Sequence, residues 1–247
     1  MRIELLGARI DALRMSEVEE RIADFIRAGS PRQVITLNPE ILYRAQQEPA
    51  LLDLINGAAL VTADGVGIVW AARLAGKLLP ERVTGIDLML RLAPRATREG
   101  WRIFLLGGAP GVAEEAAVRL KRQHPRLVIA GTHHGYFRED EEAEVVELIR
   151  RARPHLLFAG MGAPKQEQFI ARNLKKLAVP EAMGVGGSFD VLAGRVKRAP
   201  RWLQRLHLEW LGRLFREPRR WRRMLILPRF AWRALWAGIR ERGSPQK

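Results

Sequence analysis

The chain has 247 residues, with 42 Lys and Arg against 27 Asp and Glu, and it contains no cysteine. A chain of this length can bury one substantial core, and its hydrophobic fraction of 47% excludes a disordered or collagen-like protein. The lack of cysteine excludes a disulfide scaffold, cysteine-ligated metal sites and thiol catalysis. We therefore expect one compact domain that carries an appendage.

The net charge of +15 is unevenly distributed along the chain. Residues 195–247 hold 16 Lys and Arg but 3 Asp and Glu, whereas residues 1–194 have a net charge of only +2. Five of the seven tryptophans also lie in the charged segment: Trp202, Trp210, Trp221, Trp232 and Trp236. A cationic segment rich in Trp is expected to bind an anionic surface. The sequence thus divides into a body, residues 1–194, and a basic tail, residues 195–247.

The body alternates short apolar runs with helical patterns. Residues 3–6 and 8–10 predict a hairpin about Gly7, and further strands are predicted at 34–37, 59–62, 102–106, 127–131, 155–159 and 182–185. Helical spacing of apolar residues marks 112–123 and 140–153. Strands that alternate with helices indicate a Rossmann-like α/β fold, a mostly parallel sheet with helices on both faces. The first residues show no secretory signal and no run is long enough to span a membrane, so we expect a soluble or peripheral protein.

Ligands of such sheets bind beyond the carboxyl ends of the strands, so the residues that follow each strand are candidates for the site. After the first sheet strand, alternation sends Thr36 and Asn38 to the same side, and Pro39 suits the first turn of a helix. Asn38 is also a good helix N-cap. Both roles are compatible, and both stay open.

The next strand leads to Asp64, which would place a carboxylate at the cleft or would cap the following helix. Gly65 and Gly67 beside it allow a ligand to approach closely. In the link that follows, Arg82 is a candidate phosphate ligand. The alternative is that Thr84 caps a helix and Arg82 is solvated.

Three glycine-rich turns follow later strands, at 107–111, 160–167 and 184–190. Turns of this kind expose backbone N–H groups at helix starts, which suits phosphate. Their spacing matches neither GxGxxG nor GxxxxGK[ST], which disfavours a dinucleotide-dependent oxidoreductase and a P-loop NTPase. We expect a nucleotide or sugar-phosphate site in which the substrate-binding candidates are Gly107, Gly108, Lys165, Gln166, Gly186 and Asp190.

The sequence offers no good metal site. His133 and His134 are adjacent and cannot readily face one ion, and no third ligand accompanies them at metal spacing. The acidic run 139–142 suits the start of a helix, and no DxD pair occurs. We therefore predict neither a metal nor a cofactor.

Seven ordered motifs together resemble the WecG/TagA/CpsF family of bacterial glycosyltransferases, over nearly the whole chain. The motifs are TLNPE at 36–40, ADGVGIVWAARLAG at 63–76, RVTGIDL at 82–88, FLLGGAPGVAE at 104–114, GAPKQE at 162–167, GVGGSFDVLAGRVKRAP at 184–200 and LEWLGRLFREPRRWRRM at 208–224.

The resemblance implies transfer of a sugar, in many members N-acetylmannosamine or its uronic acid, from a UDP-sugar to a polyprenyl-diphosphate-linked acceptor. It implies an inverting, metal-independent reaction in cell-surface polysaccharide or wall polymer synthesis, at the cytoplasmic face of the membrane, and a tendency to form homo-oligomers. By position, Asp64 would be the general base, and Thr36 and Asn38 would line the reaction centre. Arg82 and Gln166 would contact donor or acceptor, and Asp190 would lie at the nucleotide end.

The last motif resembles the family's C-terminal appendage, and the resemblance implies that this segment closes over the active site at the membrane. The resemblance implies that Arg213, Arg220 and Arg223 stabilise the departing diphosphate. On a helical wheel, one stripe of the tail is apolar and is flanked by arginines. The stripe consists of Trp221, Leu225, Trp232, Leu235, Trp236 and Ile239. Pro228 should break the helix. Such a helix suits an anionic bilayer surface, and the alternative is that it packs on its own domain or on a neighbouring subunit.

A nucleic-acid-binding protein is the competing class, because a basic Trp-bearing segment also fits a phosphate backbone. The charge is confined to the tail, however, and the body contains no recognised nucleic-acid module. We therefore expect no nucleic-acid partner.

Overall fold

The computed structural model describes residues 1–200 together with Leu203, Phe230 and Trp232. The predicted hairpin is confirmed: β1 (Arg2–Leu5) pairs antiparallel with β2 (Ala8–Asp11). Asp11 fixes the hairpin beside the edge of the main sheet, because its Oδ2 accepts a hydrogen bond from Val61 N at 2.9 Å. The helix α1 (Met15–Ala28) follows and ends at Gly29 in the left-handed conformation.

The main sheet has six strands within the described residues, and every pairing in it is parallel. Its order is β4-β3-β8-β7-β5-β6. The strands are β3 (Arg32–Leu37), β4 (Leu60–Ala63), β5 (Arg102–Gly107), β6 (Val128–His133), β7 (Leu156–Gly160) and β8 (Glu181–Gly184). The predicted strands are confirmed, with ends that differ by one or two residues.

Helices cover both faces of this sheet, as the Rossmann-like pattern predicts. They are α2 (Pro39–Ala45), α3 (Pro49–Gly57), α4 (Val66–Leu74), α5 (Gly85–Glu99), α6 (Val112–Gln123), α7 (Glu142–Ala152), α8 (Lys165–Leu177) and α9 (Ser188–Leu192). One apolar cluster joins the sheet to α1, α5, α6 and α9, and two others join the opposite face to α2, α3 and α4 and to α7 and α8. The acidic run begins a helical segment as predicted, with a 3-10 turn at Glu139–Glu141 before α7.

The chain order sets the position of a ligand cleft. From β3 the chain passes outward to β4 at one edge, and from β5 it passes outward to β6 at the other. The two connections therefore run in opposite directions, away from the central strands β8 and β7. Ligands of open α/β sheets bind where the direction of the connections reverses in this way. We therefore expect a ligand at the carboxyl ends of β4, β3, β8, β7 and β5.

The first residues of the tail lie against the body. Arg195 forms an ion pair with Glu115 at 2.8 Å, and Arg198 forms one with Asp87 at 2.7 Å. Further along, Phe230 is buried in the apolar cluster of α2, α3 and α4, so the tail packs on its own domain at this residue. The predicted ligands Arg213, Arg220 and Arg223 and most of the apolar stripe lie outside the described residues. No helix in the described part is both long and apolar enough to span a membrane.

Candidate active site

The carboxylate of Asp64 lies at the carboxyl edge of the sheet, directly after β4. Its backbone N–H donates to Leu37 O at 2.8 Å, which extends the pairing of β3 with β4 by one residue. Its Oδ2 accepts a hydrogen bond from Gly85 N at 3.2 Å. Gly85 is the first residue of α5, so the positive end of that helix faces the carboxylate.

The prediction that Asp64 caps the helix after its own strand is wrong. The N-cap of α4 is Gly65, whose φ of 96° places it in a conformation that favours glycine, and no side chain caps this helix. Because α4 begins one residue too late for Asp64 to cap it, the carboxylate turns to α5 instead. Its other predicted role, as a carboxylate at the cleft, stays a prediction.

Thr36 lies on the neighbouring strand end, buried against the same glycine. Its Oγ1 donates to Gly184 O at 3.2 Å and so joins β3 to β8. A Cβ on Gly85 would lie 3.2 Å from Thr36 Oγ1 and 3.4 Å from Gly184 O. Glycine at position 85 therefore lets α5 start close to both strands, and it brings Thr36 and Asp64 together.

Asn38 is the N-cap of α2, as one of its two predicted roles requires. Its Oδ1 accepts a hydrogen bond from Ile41 N at 2.9 Å, and Pro39 occupies the first helical position. Asn38 is half-buried and directly follows β3, as Asp64 directly follows the paired strand β4. Its second predicted role, in lining the reaction centre, stays a prediction.

Two arginines, Arg82 and Arg198, lie near the start of α5. Thr84 caps the helix as predicted, because its Oγ1 accepts from Asp87 N at 3.2 Å. Burial raises the pKa of Asp87, but hydrogen bonds from Arg198 and Thr84 and the nearby charges of Arg198 and Arg82 outweigh it, so the pKa lies below its usual value. Half-buried Arg82 thus lies near the helix start together with Arg198.

Arg198 was not singled out from the sequence. It lies in the motif 184–200, but it stands in a run with Arg195 and Lys197 that reads as part of a basic tail. Only the fold shows that Arg195 pairs with an exposed carboxylate while Arg198 reaches the half-buried Asp87 beside the cleft.

The glycine-rich turns after β5 and β7 approach each other so closely that side chains are excluded. A Cβ on Gly107 would lie 2.5 Å from the carbonyl carbon of Gly160. Gly108 N donates to Gly160 O at 3.0 Å, and Gly108 O accepts from Gly135 N at 2.9 Å. The N–H group of Gly108, expected to bind phosphate, is therefore already bonded within the protein.

The side chain of Gln166 joins the turn after β7 to the turn after β8. Its Oε1 accepts from Gly162 N and from Gly186 N, each at 3.1 Å, so the N–H of Gly186 is also bonded internally. Its Nε2 donates to Glu167 Oε1 at 2.8 Å. The side chain is 3% exposed, and it braces the turns rather than facing solvent. Contact between Gln166 and a substrate stays a prediction.

Asp190 lies in the first turn of the short helix α9 and is partly buried. Its carbonyl oxygen accepts a hydrogen bond from Val196 N at 3.0 Å, and its carboxylate is close enough to help raise the pKa of Arg195. It is thus at the same edge of the sheet as the glycine turns, next to the point where the tail begins.

Other charged groups at this edge do not form a metal-ligand set. Across residues 1–200, Leu203, Phe230 and Trp232, no three His, Asp or Glu side chains converge in a way that could hold an ion. His133 Nδ1 contacts the His134 carbonyl at 2.8 Å, and Lys165 donates to Gly135 O at 3.2 Å. Lys165 Nζ also lies 5.2 Å from the Phe137 ring centroid, so Lys165 joins the segment after β6 to the start of α8.

The open parallel sheet and the polar side chains at its carboxyl edge define a Rossmann-like α/β protein with a candidate site at that edge. The model of the glycosyl transferase WecG/TagA/CpsF family matches residues 3–244 of this chain. The chain therefore belongs to this family, and it is a glycosyltransferase.

Three relatives share the name N-acetylglucosaminyldiphosphoundecaprenol N-acetyl-beta-D-mannosaminyltransferase. The chain is 40% identical to the protein from Bacillus spizizenii over 197 residues, 80% of this chain and 76% of the relative. It is 34% identical to that from Bacillus subtilis over 226 residues, 92% of this chain and 84% of the relative. It is 35% identical to that from Staphylococcus aureus over 234 residues, 94% of this chain and 91% of the relative.

Proposed function

We propose that this glycosyltransferase moves N-acetylmannosamine from a UDP-linked donor to N-acetylglucosamine on undecaprenyl diphosphate, with inversion and without a metal ion. The names of its relatives support the transferred sugar and the acceptor. The observation that carries the proposal is the Asp64 carboxylate, which Gly85 N holds beside Thr36 at the carboxyl edge of the sheet.

Asp64 is the general base of the proposed reaction. The oxygen of the acceptor hydroxyl attacks the anomeric carbon of the donor while the bond from that carbon to the UDP phosphate oxygen breaks. The hydroxyl proton passes to Asp64, and UDP leaves with the electron pair of the broken bond. The carboxylate is half-buried, so substrate can reach it, and the hydrogen bond from Gly85 N fixes its position at the start of α5.

Arginines stabilise the leaving diphosphate in this proposal. The N–H groups of Gly108, Gly162 and Gly186 are bonded within the protein, so these three cannot bind the diphosphate without losing those bonds. Arg82 lies near the start of α5 and is one of these arginines. The tail residues Arg213, Arg220 and Arg223, which lie outside the described residues, would supply the remainder.

The tail also attaches the enzyme to the membrane that carries its acceptor. Its net charge of +13 and five tryptophans suit an anionic bilayer surface, where each basic residue contributes on the order of 1 kcal/mol. The burial of Phe230 in the body would hold the membrane-binding segment close to the catalytic cleft. We place the protein at the cytoplasmic membrane face as a peripheral enzyme, because UDP-sugars are found there.

A donor screen tests this function. The full chain is incubated in EDTA with a synthetic N-acetylglucosaminyl lipid diphosphate and with one UDP-sugar at a time, and products are identified by mass. We expect the acceptor to gain one N-acetylhexosamine only with UDP-N-acetylmannosamine. Turnover that needs an added divalent ion would refute metal independence, and a preference for another UDP-sugar would refute the assigned donor.

A further inference from the structure

Two adjacent side chains at the start of α8 form a buried pair beneath the glycine turns. Gln166 is 3% exposed and Glu167 is 1% exposed. Gln166 Nε2 donates to Glu167 Oε1, while Gln166 Oε1 accepts from the N–H groups of Gly162 and Gly186. Since Gly162 follows β7 and Gly186 follows β8, one amide group joins the turns of two neighbouring strands.

The partners of the Gln166 amide allow it only one orientation. Its oxygen faces two N–H donors and its nitrogen faces a carboxyl acceptor. Rotation by half a turn would place the NH₂ group against both donors and the oxygen against the carboxyl group, and all three hydrogen bonds would be lost. Glu167 supplies the third of these contacts and is the acceptor for the nitrogen end of the amide.

The surroundings fix the pair against the sheet. A Cβ on Gly184 would overlap Gln166 Nε2 and lie 2.7 Å from Glu167 Oε1, so only glycine leaves room for the pair. On its other side, Gln33 Nε2 donates to the Glu167 carbonyl at 2.9 Å and ties the start of α8 to β3. Thr36 bonds the carbonyl of the same Gly184. The pair thus lies directly below the strand ends that carry the candidate site.

We infer that Glu167 is a positioning residue for the transfer reaction. By holding the Gln166 amide in one orientation, it keeps the turns after β7 and β8 in the shape that receives the donor diphosphate. The carboxyl group itself is buried away from the cleft and does not contact substrate. This inference rests on the proposed function only for the identity of the ligand that the turns receive.

Two substitutions of similar volume test the role of the acceptor oxygen. Glu167→Met removes it, whereas Glu167→Gln keeps an oxygen for the Gln166 amide. We expect Glu167→Met to raise the UDP dissociation constant and the donor KM roughly tenfold, the factor that one lost hydrogen bond gives, with kcat changed less. Glu167→Gln should leave the UDP dissociation constant and the donor KM close to their wild-type values.

Gln33→Met is the matched control, because it removes a buried hydrogen bond to the backbone of Glu167 and leaves the Gln166 amide untouched. It should lower thermal stability without weakening UDP binding. The inference is overturned if Gln33→Met weakens UDP binding as much as Glu167→Met, or if Glu167→Met binds UDP normally.

An exchange measurement on the unaltered protein keeps the inference testable if Glu167→Met does not fold. In ¹⁵N-labelled protein, the Gln166 side-chain N–H that faces Glu167 should exchange with water far more slowly than that of the exposed Gln123, by roughly a hundredfold or more. Equal exchange rates would show a freely rotating amide and would contradict the inference. This result does not depend on turnover, so a protein without the proposed activity would still report on the pair.

Discussion

The two halves of the carboxyl edge use their polar groups differently. After β4 and β3, the side chains of Asp64 and Thr36 meet the start of α5, Asn38 caps α2, and Arg82 lies near the start of α5. After β8, β7 and β5, glycine turns lie against one another, and several of their N–H groups are bonded within the protein. The first half carries the side chains that we propose to react, and we call it the reactive half, whereas the second provides a fixed shape. The difference indicates that chemistry and substrate fit can be altered separately.

Asp64→Asn should have the largest effect, and it acts on the reactive half. The amide keeps the shape of the side chain and the hydrogen bond from Gly85 N, but it cannot take the proton from the hydroxyl group of the acceptor sugar. We expect kcat to fall by about 10²–10⁴, the usual contribution of a general base, with little change in UDP affinity. Single-turnover kinetics and UDP calorimetry measure the two quantities. Normal turnover by this variant would remove Asp64 from the role of base.

Gly107→Ala tests the shape of the other half. The new Cβ would meet the Gly160 backbone at 2.5 Å, and the φ of 143° is unfavourable for alanine. We expect the free energy of unfolding to fall by about 2–4 kcal/mol. Gly29→Ala is the control, since Gly29 has φ 68° but open space around it, and urea denaturation should show a smaller loss there. Equal losses would mean that backbone strain, rather than close approach, decides both.

Glu181 offers a test at the opposite end of β8, far from both halves of the edge. Its carboxyl group is fully buried, neither oxygen has a partner within residues 1–200, and burial raises its pKa well above the usual value. The folded state therefore keeps a proton that the unfolded state loses, so stability should fall as pH rises above about 4.5, by ~1.4 kcal/mol per pH unit at most.

Glu181→Gln removes this titration. Its unfolding free energy should depend less on pH between 5 and 8 than that of the wild type, as measured by urea denaturation across that range, while kcat stays unchanged. Parallel pH curves for the two proteins would show that Glu181 does not bind the extra proton.

Asn38→Ala should have the smallest effect on stability, about 1 kcal/mol, because it removes one helix cap. Asn38→Ser keeps a capping oxygen, so thermal denaturation should show a stability close to that of the wild type. Turnover separates the two predicted roles of Asn38. A serine variant that is stable but slow would place the Asn38 amide in the reaction centre, and a serine variant with normal turnover would leave it a cap alone.

Local features of the fold could be predicted from the sequence, because they depend on residues close in the chain. Asn38 and Thr84 each bond a backbone N–H three residues later, so cap chemistry alone identifies them. The strand order depends on long-range pairing and could not be read from periodicity. The same holds for Asp64: the cleft position follows from the strand end, but its bond to Gly85 joins residues 21 apart.

The glycine turns show where sequence reasoning reached its limit. A turn rich in glycine indicates exposed N–H groups, but Gln166 lies 20 residues from Gly186 and satisfies its N–H only after β7 and β8 pair. Glu167 gave no signal beyond its place in a motif, since a charged residue is normally exposed. In the tail, Phe230 lies outside the predicted apolar stripe and yet is buried in the body.

The anomeric configuration of the product tests most directly whether one carboxylate on the reactive half performs the transfer. With an α-linked UDP-N-acetylmannosamine donor, the proton–carbon coupling at the anomeric centre of the new glycosidic bond reports its configuration by NMR. A single displacement with Asp64 as base predicts the β product, formed in EDTA at an undiminished rate. An α product would show retention, which needs either two successive displacements or attack on the face that UDP leaves, and it would contradict the proposed single displacement.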